Sequence, residues 1–198
     1  MPTRPVAAGF TILELMLTIT VAGVLAAVAI PNMRDFIRNN RLTAAANDLL
    51  RSTQVARSEA IKRQRNVVVC ASSAPRDTTP SCSYGSFTGW LVFEDADNSW
   101  HFSDGDSIIE RHEAIDTSIT VINDHDGILS FATSGFGNPA GAKSPSRNVV
   151  ICDERGNKAI GDNSSARAVL IEATGRTRVT KNLKEVANAL DSVGDTCP

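Results

Sequence analysis

The twenty-one residues from Phe10 to Ile30 are almost wholly apolar, and Glu14 is their only charge. As an α-helix this run would be about 31 Å long, close to the hydrocarbon thickness of a bilayer. No other feature limits the chain as much, because such a helix must be covered by lipid or by other apolar helices. A secretory signal peptide places a shorter apolar core ahead of its cleavage site. Here a polar leader, Met1 to Gly9 with Arg4, comes first. Cutting behind the run would discard it, whereas cutting at Gly9 would keep it.

Glu14 is out of place by composition. A carboxylate this far inside an apolar helix costs a few kcal/mol on insertion scales, which marks it as a functional candidate. Cleavage after Gly9 would create an α-amino cation on Phe10, four residues away. Within one helix that amine could pair with Glu14. Between two staggered helices, the same two groups could neutralise each other and set the register. The competing explanation is a glutamate near the membrane edge whose side chain reaches back to water.

Beyond Pro31 the pattern turns amphipathic. Phe36, Leu42, Ala45, Leu49, Ala56 and Ala60 recur at helical spacings, with Leu50 and Ile61 widening the stripe. Pro31 removes one helix hydrogen bond and is expected to kink or locally melt the helix there. The helix is predicted to run to about Arg65, 56 residues from Phe10 and roughly 84 Å if continuous. Charge is segregated along the chain. Residues 34–65 carry eight bases against three acids, and residues 66–198 carry eleven bases against eighteen acids. The second half is therefore no general polyanion binder, and any nucleic-acid contact must come from a local patch. The bases of the helix read first as its solvated face.

From Asn66 the chain reads as β. Strands are expected at Asn66–Ala71, Gly89–Glu94, Ser107–Arg111, Ile119–Asn123, Ile128–Ala132, Asn148–Asp153, Asn157–Ile160, Ala168–Glu172 and Arg176–Thr180. They follow one another without helices between them, so an antiparallel sheet is expected. Asn182–Val193 reads as a short helix or a tail. Cys70, Cys82, Cys152 and Cys197 form no CxxC, and His101, His112 and His125 are scattered, which argues against a zinc site. Four cysteines downstream of a membrane run suggest disulfides outside the cytoplasm. Three pairings are open. Cys70–Cys82, which closes a short loop, and Cys152–Cys197, which ties down the C-terminus, are favoured.

Other chemistry finds little footing. Asp95, Asp97, Asp104 and Asp106 look faintly like a calcium loop but lack the twelve-residue spacing and closing Glu, so acidic turns are the simpler account. Trp90 and Trp100 read as packing residues. No nucleophile elbow, P-loop or zinc-protease motif is present, so no enzyme, metal or cofactor is expected.

Gly9-Phe10-Thr11-Ile12-Leu13-Glu14-Leu15-Met16 resembles the class III signal of type IV pilins and type II secretion pseudopilins. The resemblance implies cleavage between Gly9 and Phe10 by a prepilin peptidase and N-methylation of Phe10. Pro31 also falls where pilin helices carry a proline. Leu42–Leu49, Ala56–Arg63, Val67–Ser72 and Gly89–Asp95 narrow the likeness to the FimT/FimU/GspH group of minor pilins and pseudopilins. That likeness implies an α+β pilin fold, with a long N-terminal helix packed on a C-terminal antiparallel β domain. Its parts would be a leader at 1–9, a membrane helix at 10–30, an amphipathic helix at 31–65 and a β domain at 66–198. The expected course is anchoring in the inner membrane with the β domain in the periplasm, then entry into a pilus or pseudopilus beside other pilins, with Glu14 and Pro31 serving assembly.

Near the C-terminus stand Gly175-Arg176-Thr177-Arg178, then Lys181 and Lys184, with no acid between Thr174 and Lys184. In a strand Arg176 and Arg178 project to one face, and guanidinium groups at that spacing can hold phosphates. The segment resembles the GRxR motif of FimT-like pilins, which implies sequence-nonspecific contact with double-stranded DNA through Arg176, Arg178, Lys181 and Lys184. Against this, the arginines could pair with acids of their own domain. Two alternatives carry no DNA role: an H-type minor pseudopilin of type II secretion, and a purely structural priming pilin.

Overall fold

A computed structural model describes residues 9–83, 89–113, 115–123, 127–137, 147–194 and 196–197. Residues 1–8 of the expected leader and His125 lie outside the described residues. The chain divides into two compact units, Met1–Asn39 and Asn40–Pro198.

The first unit is helical. Helix α1 spans Ile12–Arg63 and so enters both units, with residue 31 inside the assigned helix. Thr11 caps its start: the Thr11 hydroxyl accepts the Glu14 N–H at 3.2 Å, and the Thr11 carbonyl accepts that of Leu15 at 3.1 Å. Glu14 thus sits in the first turn, where the helix dipole favours an anion. Thr18 and Thr20 donate back to the carbonyls of Leu15 and Met16, both at 2.8 Å, so these hydroxyls are satisfied within the helix. Phe36, expected in the apolar stripe, is 60% exposed.

In the second unit, Leu42, Ala45, Ala46, Leu49, Ala56 and Ala60 of α1 are buried. The stripe is built of small residues, which let the helix approach the sheets closely. Sheet one has the order β3-β2-β1-β5, from β1 (Asn66–Ser72), β2 (Gly89–Asp95), β3 (Ser107–His112) and β5 (Ile128–Phe131). Sheet two joins β4 (Thr120–Asn123), β6 (Arg147–Cys152), β8 (Asn163–Ile171) and β7 (Ala159–Ile160), with β9 (Thr177–Asn182) also paired to β8. All pairings are antiparallel. There are therefore two sheets rather than one. The split follows from β5 pairing with β1 while β4 pairs with β6, so the chain changes sheet after β3, after β4 and after β5.

One core lies under α1 and is shared by both sheets: Val67, Val69, Trp90, Val92, Leu129 and Phe131 come from the first, and Val149, Ile151, Val169 and Ile171 from the second. The alternate residues face the other way, as the pleat requires. Behind sheet one, Val68, Cys70, Leu91 and Phe93 pack under Cys82, Trp100 and Phe102. Behind sheet two, Val150, Cys152, Ala166 and Ala168 pack under helix α2 (Leu183–Val193) through Val186, Ala189 and Leu190. Disulfides fasten both coverings, Cys70–Cys82 behind sheet one and Cys152–Cys197 behind sheet two.

Two polar features hold the helix in place. Ser52, fully buried in α1, accepts the Trp90 indole N–H at 2.9 Å, and the Trp90 ring stacks on His112 at 3.7 Å. At the far end, Arg57 donates to the carbonyls of Gly135 at 2.9 Å and Thr174 at 3.1 Å. It thereby joins the loop after β5 to the β8–β9 turn. Gly175, at φ 77°, lies so close to that loop that a Cβ would overlap the Gly135 carbonyl oxygen. Helix α1 stops at Arg63 because Gln64 turns left-handed at φ 55°, two residues before the expected end.

Ser52→Ala should destabilise the fold by about 1–3 kcal/mol, because the indole N–H is left buried and unpaired. Urea unfolding of Ser52→Ala, Trp90→Phe and the double variant should show a coupling of about 1 kcal/mol, and strict additivity would refute the bond. Gly175→Ala should cost at least about 2 kcal/mol through left-handed strain plus the clash. Gly161→Ala, also left-handed but in open space, should cost only about 1 kcal/mol. Equal losses in thermal unfolding would remove the close-approach argument.

Candidate functional site

The residues singled out in the sequence fall in two places. Gly9, Phe10 and Glu14 lie at the start of the apolar helix. Every described residue from 9 to 30 is exposed, and α1 contains the one helix segment among the described residues long and apolar enough to cross a membrane. The cap adds something that sequence reasoning missed. Thr11 and Glu14 have the spacing of a capping box, so Glu14 has a local reason to stand in the first turn besides any partner helix. That signal was legible as T-x-x-E.

The four C-terminal cations do not form one patch. Arg176 is exposed but lies in the turn before β9 rather than in the strand. Lys181 is near the opposite end of β9, about 16 Å further along. Arg178 and Lys181 point to opposite faces of the strand. Arg178 pairs in register with Leu170, which packs on the α2 side. Val179, on the face of Lys181, packs against the core under α1.

Arg178 is occupied. Its two terminal nitrogens donate to both carboxylate oxygens of Glu185 on α2, at 2.9 and 2.8 Å. The pair is bidentate, the strongest geometry open to these groups. The Arg178 guanidinium, with a lesser contribution from Thr180, holds the Glu185 carboxyl down at about 2. Glu185 also stands three residues after Asn182, whose side chain caps α2 by accepting the N–H groups of Lys184 at 3.1 Å and Glu185 at 3.3 Å. The stretch of sequence free of acids ends one residue short of this partner. The pattern Asn182-x-x-Glu185 was the signal for both the helix start and the acid. Lys184 is exposed in the first turn of α2, where the helix dipole opposes a cation.

The acidic turn after β2 is tightly internally bonded. Asp95, Asp97 and Asp106 bring ligand atoms within 4.8 Å of one another, so these three could in principle face a cation. Their oxygens are already engaged. Asp95 accepts the N–H groups of Ser99 and Trp100, and Asp106 accepts those of Ala96 and Ser103. Burial pushes the Asp95 carboxyl above its ordinary range. The group holds the loop that carries Trp100 over sheet one.

Residues 45–175 match the family model described as "Type II transport protein GspH". Two curated relatives, both fimbrial proteins of Pseudomonas aeruginosa, are 34% identical over 70 residues, which is 35% of this chain and 44% of each relative. The chain thus spans less than half the length of the curated relatives it matches. Among solved structures, the type IV minor pilin FimU of Pseudomonas aeruginosa is similar at 20% identity and a TM-score of 0.49. That match covers 73% of this chain and 92% of FimU. The minor pseudopilin EpsH from the type 2 secretion system of Vibrio cholerae is similar at 9% identity and a TM-score of 0.47, covering 71% of this chain and 97% of EpsH. The family model takes in most of the chain, from the buried half of α1 to the β8–β9 turn, and the chain belongs to the GspH family of minor pilins and pseudopilins.

Proposed function

We propose that this chain is a minor pilin, processed between Gly9 and Phe10 by a prepilin peptidase and N-methylated on Phe10. Residues 10–30 then hold it in the inner membrane, with the β domain on the periplasmic side. Assembly draws the same helix into a pilus or pseudopilus, where the subunit primes the fibre or sits at its tip. The observation that carries this reading is the capped apolar helix, exposed along its described length with a single carboxylate in its first turn. An apolar surface of that length needs lipid first and neighbouring helices afterwards. Glu14 would meet the N-terminal amine of a neighbour once lipid is left behind.

A DNA role is a second reading, supported by the exposure of Arg176, Lys181 and Lys184. It is narrower than four aligned cations. Arg178 already has a carboxylate partner, and the others are spread over two ends of β9. Contact would be to phosphates and insensitive to base sequence. Membership of a type II secretion machine, as an H-type pseudopilin whose partners are other pseudopilins, is the alternative that the family description favours. A priming pilin with no ligand needs only the helix and the domain.

Glu14→Gln should leave the chain in the membrane fraction while lowering its recovery in sheared fibres about tenfold, since the variant keeps shape and loses charge. Unchanged recovery would contradict the assembly role of the carboxylate. In gel-shift titration with duplex DNA at low salt, Arg176→Ala should weaken binding and lower the salt slope by about one, as expected for one lost phosphate contact. An unchanged slope would end the DNA reading for that residue.

The Arg178–Glu185 pair gives a signed pH dependence. Its folded-state carboxyl lies near 2, below the ordinary value of 4.5. The pair therefore contributes fully above about pH 4.5 and is lost as pH falls toward 2. Glu185→Gln should flatten the acid loss of thermal stability over that window. A variant that follows the wild-type profile would show that the pair is not formed in solution.

A further inference from the structure

Three large apolar side chains are exposed among the described residues of the second unit: Ile61 at 45%, Phe136 at 55% and Ile160 at 49%. Ile61 and Phe136 flank the Gly135 loop at the Arg57 end. Ile160 stands alone at the other end, on the β7–β8 hairpin.

That hairpin lies beyond the end of the β6 pairing. Strand β6 pairs with β8 only as far as Ile151 opposite Arg167, yet β8 begins at Asn163, four residues earlier. Strand β8 is irregular over this stretch, and Asn163 lies opposite Asn182, two residues of β9 beyond the Ala168–Thr180 pair, so the hairpin reaches about 7 Å past that pair. Ala159 and Ile160 are both exposed, and Gly161 makes the tight left-handed turn at φ 61° with open space around it. Arg167 donates to the carbonyls of Ser164, Ser165 and Ala166 at 3.0–3.3 Å, which braces the irregular part of β8 behind the tip.

Lysines surround this tip. Lys158 precedes β7; its carbonyl accepts the Ser165 N–H at 2.9 Å, and its own N–H donates to the Ser165 hydroxyl at 2.8 Å. Lys181 lies near the end of β9, beside Asn182, which is opposite Asn163. Lys184 is the second residue of α2, whose first N–H, that of Leu183, donates to the Asp162 carbonyl at 3.0 Å. Three of the five lysines in the chain stand on segments at one end of a domain that is acidic as a whole. The positive end of the α2 dipole points the same way. Nearby acids are partly neutralised: Asp153 is held by Arg155 at 2.7 Å, and Asp116 by Arg41 at 3.0 Å. Asp162 belongs to the hairpin itself, and Asp191 of α2 lines a cavity together with Lys158.

The chain enters the unit here too. Arg41 binds Asp116, in the turn leading to Thr120, and Thr120 is in register with Cys152 at the end of β6. Residues 31–40 are the whole connection from the apolar run to this end, at most about 35 Å when fully extended. We infer that the β7–β8 tip is a lipid-contact surface. Ile160 enters the headgroup boundary of an anionic bilayer, and Lys158, Lys181 and Lys184 engage phospholipid phosphates while the subunit waits in the membrane. This rests on the proposed membrane anchoring. An apolar residue ringed by lysines suits an anionic interface, whereas water favours only the lysines.

The test uses the full chain carrying Ile160→Cys labelled with an environment-sensitive dye, reconstituted into vesicles. One set is phosphatidylcholine alone, and the other also contains phosphatidylglycerol. The expected result is a blue shift in the anionic vesicles, lost in high salt and lost when Lys158, Lys181 and Lys184 are all changed to Glu. Flotation with the vesicles but no anion-dependent shift would overturn the tip as a lipid surface and leave the anchor intact. Failure to float would overturn the anchoring itself. A shift that grows with the ratio of protein to lipid would assign Ile160 to contact with another copy of the chain and overturn the inference.

Discussion

The buried face of α1 between Leu42 and Ala60 is the contact on which both sheets depend. Sheet one offers it Val67, Val69, Trp90, Val92, Leu129 and Phe131, and sheet two offers Val149, Ile151, Val169 and Ile171. Among the described residues no strand of one sheet pairs with a strand of the other, and the helix is an element they share. Its alanines permit close approach, and Leu42 and Leu49 fill the larger gaps. Ser52 adds direction to this otherwise non-directional burial, because Trp90 can bond it in only one register. Arg57 does the same at the far end by binding two loops at once.

This arrangement gives the β domain two different ends. At the Arg57 end, turns are pinned by backbone contacts, and Gly175 serves packing as much as any ligand. At the Arg41 end the chain enters, α2 begins, and the hairpin reaches out with its lysines. The cations of the GRxR segment belong to both ends and to neither as a set. Arg178 works inside the domain, joining β9 to α2. Arg176 faces solvent at one end, while Lys181 and Lys184 face solvent at the other. A ligand that needed all four would have to wrap the strand.

Much of this was legible in the sequence, for physical reasons. The apolar run, the small-residue stripe and most strands are periodic, and local patterning reports them. Phe36 misled because it kept helical spacing just ahead of Asn40, where the second unit begins. Ser52 was missed because a buried hydroxyl looks polar until its partner is known. The start of β8 was missed because Asn163-Ser164-Ser165 has no apolar alternation. The division into two sheets depends on pairings far apart in sequence, which no local window contains. Glu185 lies one residue outside the acid-free stretch around the arginines, although its place after Asn182 announced a capped helix.

The account stands on the fate of the apolar helix. Intact-mass and N-terminal peptide analysis of the protein recovered from membranes and from sheared fibres tests it most directly. The account predicts a chain that begins at an N-methylated Phe10 and is present in both fractions. A chain that still carries residues 1–9 in the fibre fraction, or one shortened to a point beyond Ile30, would contradict it.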